Sequence, residues 1–272
     1  YDLKNKVGVG DGTASGTGAE VFDALLALGY NQREVREVVN KIDSTKTQAE
    51  QIKQATTHFK KTAEKEVRIL CKQDSREDRP DVFVEQGLFI LPIKNGNYAI
   101  VKGEGYIGIP EITTKAQIYS SKLTFELETS LIGNSEMQHL DFAYASSLIR
   151  TFVEDDSLVL TIRGRKYTPP FDFRVGTQTI STQSVQTEVD AGYEGKEQLV
   201  LIEAKNSTSK NTIIRQLYYP FRQWQHYTKK KVNILFFEKR RLEYLLWEFT
   251  FKDVMDYNSI ELVRSAKFVI KK

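Results

Sequence analysis

Residues 188–205 read EVDAGYEGKEQLVLIEAK. Side chains alternate across a strand, so Glu188 and Asp190 share one face of a first strand while Val185, Thr187 and Val189 take the other. Tyr193, Glu194, Gly195 and Lys196 read as a short turn. The segments 184–191 and 198–205 then form an antiparallel hairpin that brings Asp190 near Glu203 and Lys205, themselves spaced i, i+2. Adjacent carboxylates repel, and a strand otherwise made of Val, Leu and Ile does not ordinarily turn Glu and Lys inward. A hard divalent cation resolves both problems. Magnesium takes oxygen ligands, typically one or two carboxylates plus substrate phosphate, and Asp190, Glu203 and the carbonyl of Ala204 offer them. A cation there lowers the pKa of bound water and stabilises developing charge on phosphorus and the leaving oxygen. Lys205 orients that water, helps deprotonate it or offsets transition-state charge, and Gln216 hydrogen-bonds the water or the scissile phosphate. The plainer reading of the Glu-Ala-Lys triplet is an ordinary cross-strand ion pair on a solvent face.

Outward from the hairpin, the pattern predicts a helix over 135–152, opened by an Asn134-Ser135 cap, and strands at 158–163 and 171–175. After the hairpin come a helix over 211–227 and strands at 232–237, 244–251 and 259–271. Strands on both sides of a central helix imply an α+β protein with an α/β core, a mixed β-sheet flanked by helices. Upstream, LFILPIKNGNYAIVKG (88–103) is a hairpin around Asn95-Gly96, preceded by a short helix DVFVEQ (81–86) between Pro80 and Gly87. Residues 19–61 read as three short helices, with Val35, Val38, Val39 and Ile42 as one stripe, and Asn31/Glu34 and Thr47/Glu50 as capping boxes. Gly29 stops the first helix. The opening 18 residues have the glycine content of a flexible linker. The expected division is linker 1–18, three-helix module 19–61, strand-rich DNA-contact subdomain 62–121 and main domain 122–272.

Composition narrows the chemistry. With 272 residues, 40% hydrophobic and 28% charged, the chain has material for a core and is neither disordered nor collagen-like. A single cysteine, Cys71, and three histidines exclude an internal disulfide and leave little for a zinc site, so any metal is held by oxygen. No apolar run reaches membrane-spanning length and no signal-peptide pattern opens the chain, which reads as a soluble cytoplasmic protein with no membrane partner. The net charge of +3 hides a segregation. From 204 to 241 the bases Lys205, Lys210, Arg215, Arg222, Lys229, Lys230, Lys231, Lys239, Arg240 and Arg241 face one acid, Glu238. This is either a solvated face or a surface that neutralises phosphates. Arg163, Arg165 and Lys166 in TIRGRKYTPP, placed at a strand end before two prolines, are the first candidates for base or phosphate contact. Tyr218, Tyr219, Phe221 and Trp224 lie at helical spacing and are assigned mostly to packing.

An acid at a strand end, an apolar LVLI run into Glu203-Ala204-Lys205 and a following helix bearing Arg215 and Gln216 resemble the PD-(D/E)XK nuclease superfamily. Asp190 takes the place of its first acid, and Val189 stands where the family name has proline. The segments REDRPDVFVEQGLFILPIKNGNYAIVKGEGY, GNSEMQHLDFAY, TIRGRKYTPPFDFRVG and IIRQLYYPFRQW together look like type II restriction endonuclease-like proteins over about 65–272. The resemblance implies a restriction-endonuclease-like fold and Mg²⁺-dependent hydrolysis of double-stranded DNA leaving 5′-phosphates, in a bacterial or archaeal cell interior. Cutting both strands implies a homodimer. Glu136 matches a place where members carry an extra acid, although helix capping also explains it, and Glu188 is a second such candidate. Lys210, Arg215 and Arg222 join Arg163, Arg165 and Lys166 as DNA-binding candidates. Separately, AEVFDALLALGYNQREVREVVNKI with QAEQIKQA is similar to the C-terminal domain of the Holliday-junction protein RuvA, which implies a RuvB-like motor partner for 19–61. A generic three-helix bundle carries the same pattern. Two rival functions remain open: a repair or recombination nuclease for branched DNA, and a non-catalytic DNA-binding adaptor for a motor ATPase.

Overall fold

The computed structural model describes residues 18–27, 32–47, 50–55 and 71–271. Two compact units divide the chain, Tyr1–Leu70 and Cys71–Lys272. In the first, α1 (Gly18–Ala27), α2 (Gln32–Val39) and a helical stretch over 50–55 surround a small core of Val21, Leu25, Val35, Val38 and Ala55. Val39, Ile42 and Ile52 pack against it, so the expected stripe is the buried one. The Thr47 capping box forms: its N–H donates to Glu50 Oε2 at 3.1 Å and the Glu50 N–H donates to Thr47 Oγ1 at 3.4 Å. Gly29, Asn31 and the linker before Gly18 lie outside the described residues.

The larger unit is built on a seven-stranded mixed sheet. Its strands are β4 (Gln117–Ser120), β5 (Val159–Tyr167), β8 (Gln186–Glu194), β9 (Gln198–Lys205), β11 (Lys231–Arg240), β12 (Glu243–Phe251) and β13 (Ile260–Lys271), in spatial order β4-β13-β12-β11-β9-β8-β5. β8 pairs antiparallel with both β5 and β9, while β9 and β11 pair in parallel. That parallel step needs a crossover, supplied by α6 (Arg215–Tyr227). On the α6 face, Leu199 and Leu201 of β9, Ile234 and Phe236 of β11, and Trp247 and Phe249 of β12 pack with Leu217, Tyr218 and Tyr219. On the opposite face Val200, Ile202, Leu235 and Phe237 pack under α4 (Glu136–Ala145) and α5 (Leu148–Val153) through Leu140, Ala143, Leu148 and Ile149. A strand covered on both sides has no polar face, which is why β9 reads as an unbroken apolar run.

Residues 71–121 are woven into this unit. The helix α3 (Asp81–Gln86) and the hairpin of β1 (Leu88–Lys94) and β2 (Asn97–Lys102) form as expected, with Gly87 closing the helix at φ 64°. However, β3 (Tyr106–Gly108) pairs with β10 (Asn211–Ile213), and β4 joins the main sheet beside β13. The expected helix 211–227 therefore starts only at Arg215, because the ladder with β3 holds 211–213 extended. The strand expected at 171–175 is β6 (Phe171–Val175), which pairs with β7 (Gln178–Thr182) in a separate hairpin rather than in the main sheet. The helix expected over 135–152 is broken: Ser147 adopts φ 67° between α4 and α5. Among the described residues no helix is long and apolar enough to cross a membrane.

Candidate active site

The β8–β9 ladder runs from Glu194↔Leu199 to Ala191↔Ile202 and stops there. Strand β8 extends past the expected turn residue Tyr193 to Glu194, so the turn is Gly195 to Glu197. A Cβ at Gly195 would sit 2.3 Å from Asp155 Oδ2, so the Asp155 carboxylate would have to shift to admit a larger residue. Beyond Ala191, β8 stays with β5 alone, pairing Val189 with Gly164 and Glu188 with Arg165. Where β8 parts from β9, the carboxylate of Asp190 takes over the ladder: the Ala204 N–H donates to Asp190 Oδ2 at 2.7 Å. Lys205 Nζ donates to Glu203 Oε1 at 2.5 Å, with the two side chains only 25% and 11% exposed. The pair is thus same-strand and mostly buried, not a cross-strand pair on a solvent face.

Charge in this pocket is out of balance. Burial raises Asp190 above the ordinary carboxylate range, against the Ala204 N–H and Lys205, and the charges of Glu136 and Glu188 add to the rise. Burial likewise raises Glu203, opposed by Lys205 and reinforced by Asp190 and Asp74. For Lys205 burial works downward, but Glu203, Glu136 and Asp190 outweigh it and the ammonium is held charged. Gln216, at the start of α6, accepts from Thr212 Oγ1 at 2.7 Å. It lines a small cleft of about 10 Å³ together with Glu188, Glu203 and Pro220, room for about one water.

The extra acids divide. Glu136 opens α4 and its Oε1 accepts from the Asn206 N–H at 3.4 Å, while the N-cap hydrogen bond of that helix comes from Ser135. Asp74 was not read from the sequence; nothing in CKQDSRED distinguishes it from its acidic neighbours. Its main-chain carbonyl accepts from the Ile213 N–H at 2.9 Å and its carboxylate meets Arg215 at 3.4 Å. Glu238 was also missed, although an acid ending the apolar run VNILFF carries the same signal as Glu203. It lies across from Lys205 in the β9–β11 ladder, fully buried, accepting from the Ser209 N–H at 2.8 Å and Arg240 Nε at 2.6 Å. It ties down the loop that follows Lys205.

The basic candidates are rearranged most. Arg163, Arg165 and Lys166 belong to the body of β5, the outer strand of the sheet, and not to a loop beyond it. Arg163 pairs with Asp141, and Arg165 with Glu188. Arg215 is taken by Asp74. Arg222 donates to the carbonyls of Asp172 and Val254 and stacks over Phe171, so it braces the β6–β7 hairpin. Arg215 and Arg222 thus each make contacts that brace the fold, through one terminal nitrogen apiece. Lys230 binds Glu194 and Arg240 binds Glu111 and Glu238, so much of the basic run is neutralised internally. Lys210 stays exposed, and its charge acts on Glu77. Tyr218, Tyr219 and Phe221 are core, as assigned.

Among the described residues no group of three or more His, Cys, Asp and Glu side chains converges as a metal site. The oxygen donors on hand are Asp190, Glu203 and the Ala204 carbonyl. Two desolvated carboxylates in a pocket with excess negative charge suit a small hard cation completed by water and phosphate.

Fold and site together define an α+β protein with a mixed sheet and a carboxylate–lysine centre where two of its strands part. The family described as Domain of unknown function (DUF6997) matches residues 101–269, more than half of the chain, and the chain belongs to it. Domain of unknown function (DUF6996) matches residues 26–100, which include Asp74. No curated protein and no solved structure matches the chain.

Proposed function

We propose that the chain is a Mg²⁺-dependent deoxyribonuclease of the restriction-endonuclease-like PD-(D/E)XK kind, hydrolysing phosphodiesters of double-stranded DNA. The observation that carries this reading is the placement of Asp190, Glu203 and Lys205 at the parting of β8 and β9, with the Ala204 N–H held by Asp190. The order of helix, three antiparallel strands, crossover helix and parallel strand puts both acids and the lysine at one end of the sheet. A cation held by Asp190, Glu203 and the Ala204 carbonyl would acidify water and stabilise charge on the phosphate.

The chain's own residues do the rest. Glu203 holds Lys205 in place, and the Lys205 ammonium offsets negative charge on the phosphate or fixes the attacking water. Gln216, poised by Thr212 beside the one-water cleft, offers a hydrogen bond to that water. Water oxygen bonds to phosphorus as the P–O3′ bond breaks, leaving a 5′-phosphate and a 3′-hydroxyl. The DNA-contacting candidates are Arg163, Arg165 and Lys166 on β5, with Lys210, Arg215 and Arg222 after the site strand.

Purified protein incubated with supercoiled plasmid and Mg²⁺ should linearise it, and EDTA should stop cleavage. Asp190→Asn and Lys205→Ala should each lower the rate on the order of 100-fold or more while DNA binding persists. Full cleavage by both variants overturns the assignment. A second reading, a nuclease directed to branched DNA, rests on the resemblance of residues 19–61 to the RuvA C-terminal domain. Faster cutting of four-way junctions than of linear duplex supports it, and equal rates speak for the restriction type.

A further inference from the structure

On the nuclease reading, the edge strand β5 carries three candidate DNA contacts, Arg163, Arg165 and Lys166, yet its two arginines are already engaged. Arg165 faces Glu188 directly in the β5–β8 ladder, with Nε 3.1 Å from Oε2, and Arg163 is paired with Asp141 of α4. Neither acid is incidental to the site. Glu188 lines the cleft shared by Glu203 and Gln216 and its charge acts on Asp190, while Asp141 lies on the helix that Glu136 opens. The Arg165 and Glu188 side chains are 67% and 57% exposed, so their attraction is screened by water and the pair is weak. A DNA phosphate carries a full charge, suits the guanidinium fork and releases counterions when neutralised.

We infer that Glu188 is a built-in competitor of the DNA backbone for Arg165, and Asp141 for Arg163. Docking of a duplex on β5 exchanges each arginine from its acid to a phosphate. The acid partners keep the edge strand nearly neutral without DNA and lower its affinity for polyanions in general. The exchange leaves Glu188 unneutralised beside Asp190 only while DNA is bound, so negative charge in the cleft rises when substrate arrives. This inference rests on the nuclease reading for its ligand but requires no cleavage.

The test is fluorescence anisotropy with a fluorescein-labelled mixed-sequence duplex in EDTA at low salt. Glu188→Gln should bind about threefold to fivefold tighter than the unaltered protein, the range expected for removing a weak surface pair. Arg165→Gln should bind more weakly and with a salt slope shallower by about one. The gain from Glu188→Gln should disappear in the Arg165→Gln background, because the acid then has no arginine to withhold. An undiminished gain in that background overturns the inference, since it reports only the removal of a negative charge, and so does absence of any gain. The Asp141→Asn and Arg163→Gln cycle reads the second pair in the same way. If the unaltered protein does not bind duplex DNA, the nuclease reading falls and this inference with it. Binding without the Glu188 effect sinks this inference alone.

Discussion

Asp155 shows how one side chain holds the site hairpin in place. Its carboxylate accepts from the Ser157 N–H at 2.8 Å, Ser157 Oγ at 2.5 Å and Gln198 Nε2 at 3.0 Å, and so ties the turn after α5 to the first residue of β9. The hydrogen bond from the Ser157 hydroxyl is the main cause that lowers its pKa, with Gln198 and the Ser157 N–H adding to it. A carboxyl with a depressed folded pKa stabilises the fold above its unfolded pKa, and that contribution is lost as pH falls through the folded value. Asp155→Asn should therefore cost about 1 kcal/mol at neutral pH after solvent screening, and the loss should vanish in strong acid. Urea titrations of both proteins at pH 7 and below pH 3 check this; a pH-independent difference would refute the linkage. At the same scale, Asp190, Glu203 and Lys205 were readable because charged residues stand out in an apolar strand. The partners of Arg215 and Arg222 were not, because Asp74 lies 141 residues from Arg215 and the Val254 carbonyl 32 residues from Arg222.

Among the elements, the break between α4 and α5 is the clearest departure from local pattern. The apolar spacing of 135–152 is helical throughout, yet the chain turns at Ser146-Ser147. Ser146 is fully buried, and its carbonyl accepts from the Lys122 N–H and the Tyr119 hydroxyl, both at 3.1 Å. Those donors come from β4 and the residue pair after it, and they take the acceptor that a continuing helix would use. Ser147 then sits at φ 67°, where a Cβ is strained. Ser147→Val should lower stability by about 1–2 kcal/mol, while Ser147→Gly should be neutral or slightly stabilising. Denaturant midpoints of the two variants decide it, and a Val variant as stable as the Gly variant would mean that the backbone there is not constrained. Gly192 marks a second element-level demand: a Cβ would lie 2.7 Å from that of Ile162, where β5 slips register against β8.

For the whole molecule, the core clusters among the described residues each draw on one unit. The first uses Val21 to Ala55, and the two clusters flanking the sheet use residues from Phe89 onward. Residues 71–272 should therefore fold without the first 70. Both tryptophans, Trp224 and Trp247, lie in the larger unit and Trp247 is fully buried, so indole fluorescence reports on it alone. Its unfolding curve in urea should superimpose for the full chain and for 71–272, and a large loss of stability on truncation would contradict separate cores.

The mixed sheet, the site hairpin and the small helical unit follow from patterns spanning a few residues: alternation, an unbroken apolar run, a capping pair, a stripe at helical spacing. Such patterns reflect burial and hydrogen bonding within one element, and those forces act wherever the element ends up. The route of 211–213 to β3, the capture of Ser146 and the pairing of each arginine depend on groups that meet only after the chain has folded. A cation's partner is whichever acid or carbonyl the packing delivers to it, and no local spacing encodes that. Folding thus ties several bases of the 204–241 run to acids and carbonyls within the fold, and it pairs the arginines of the edge strand β5 with Glu188 and Asp141.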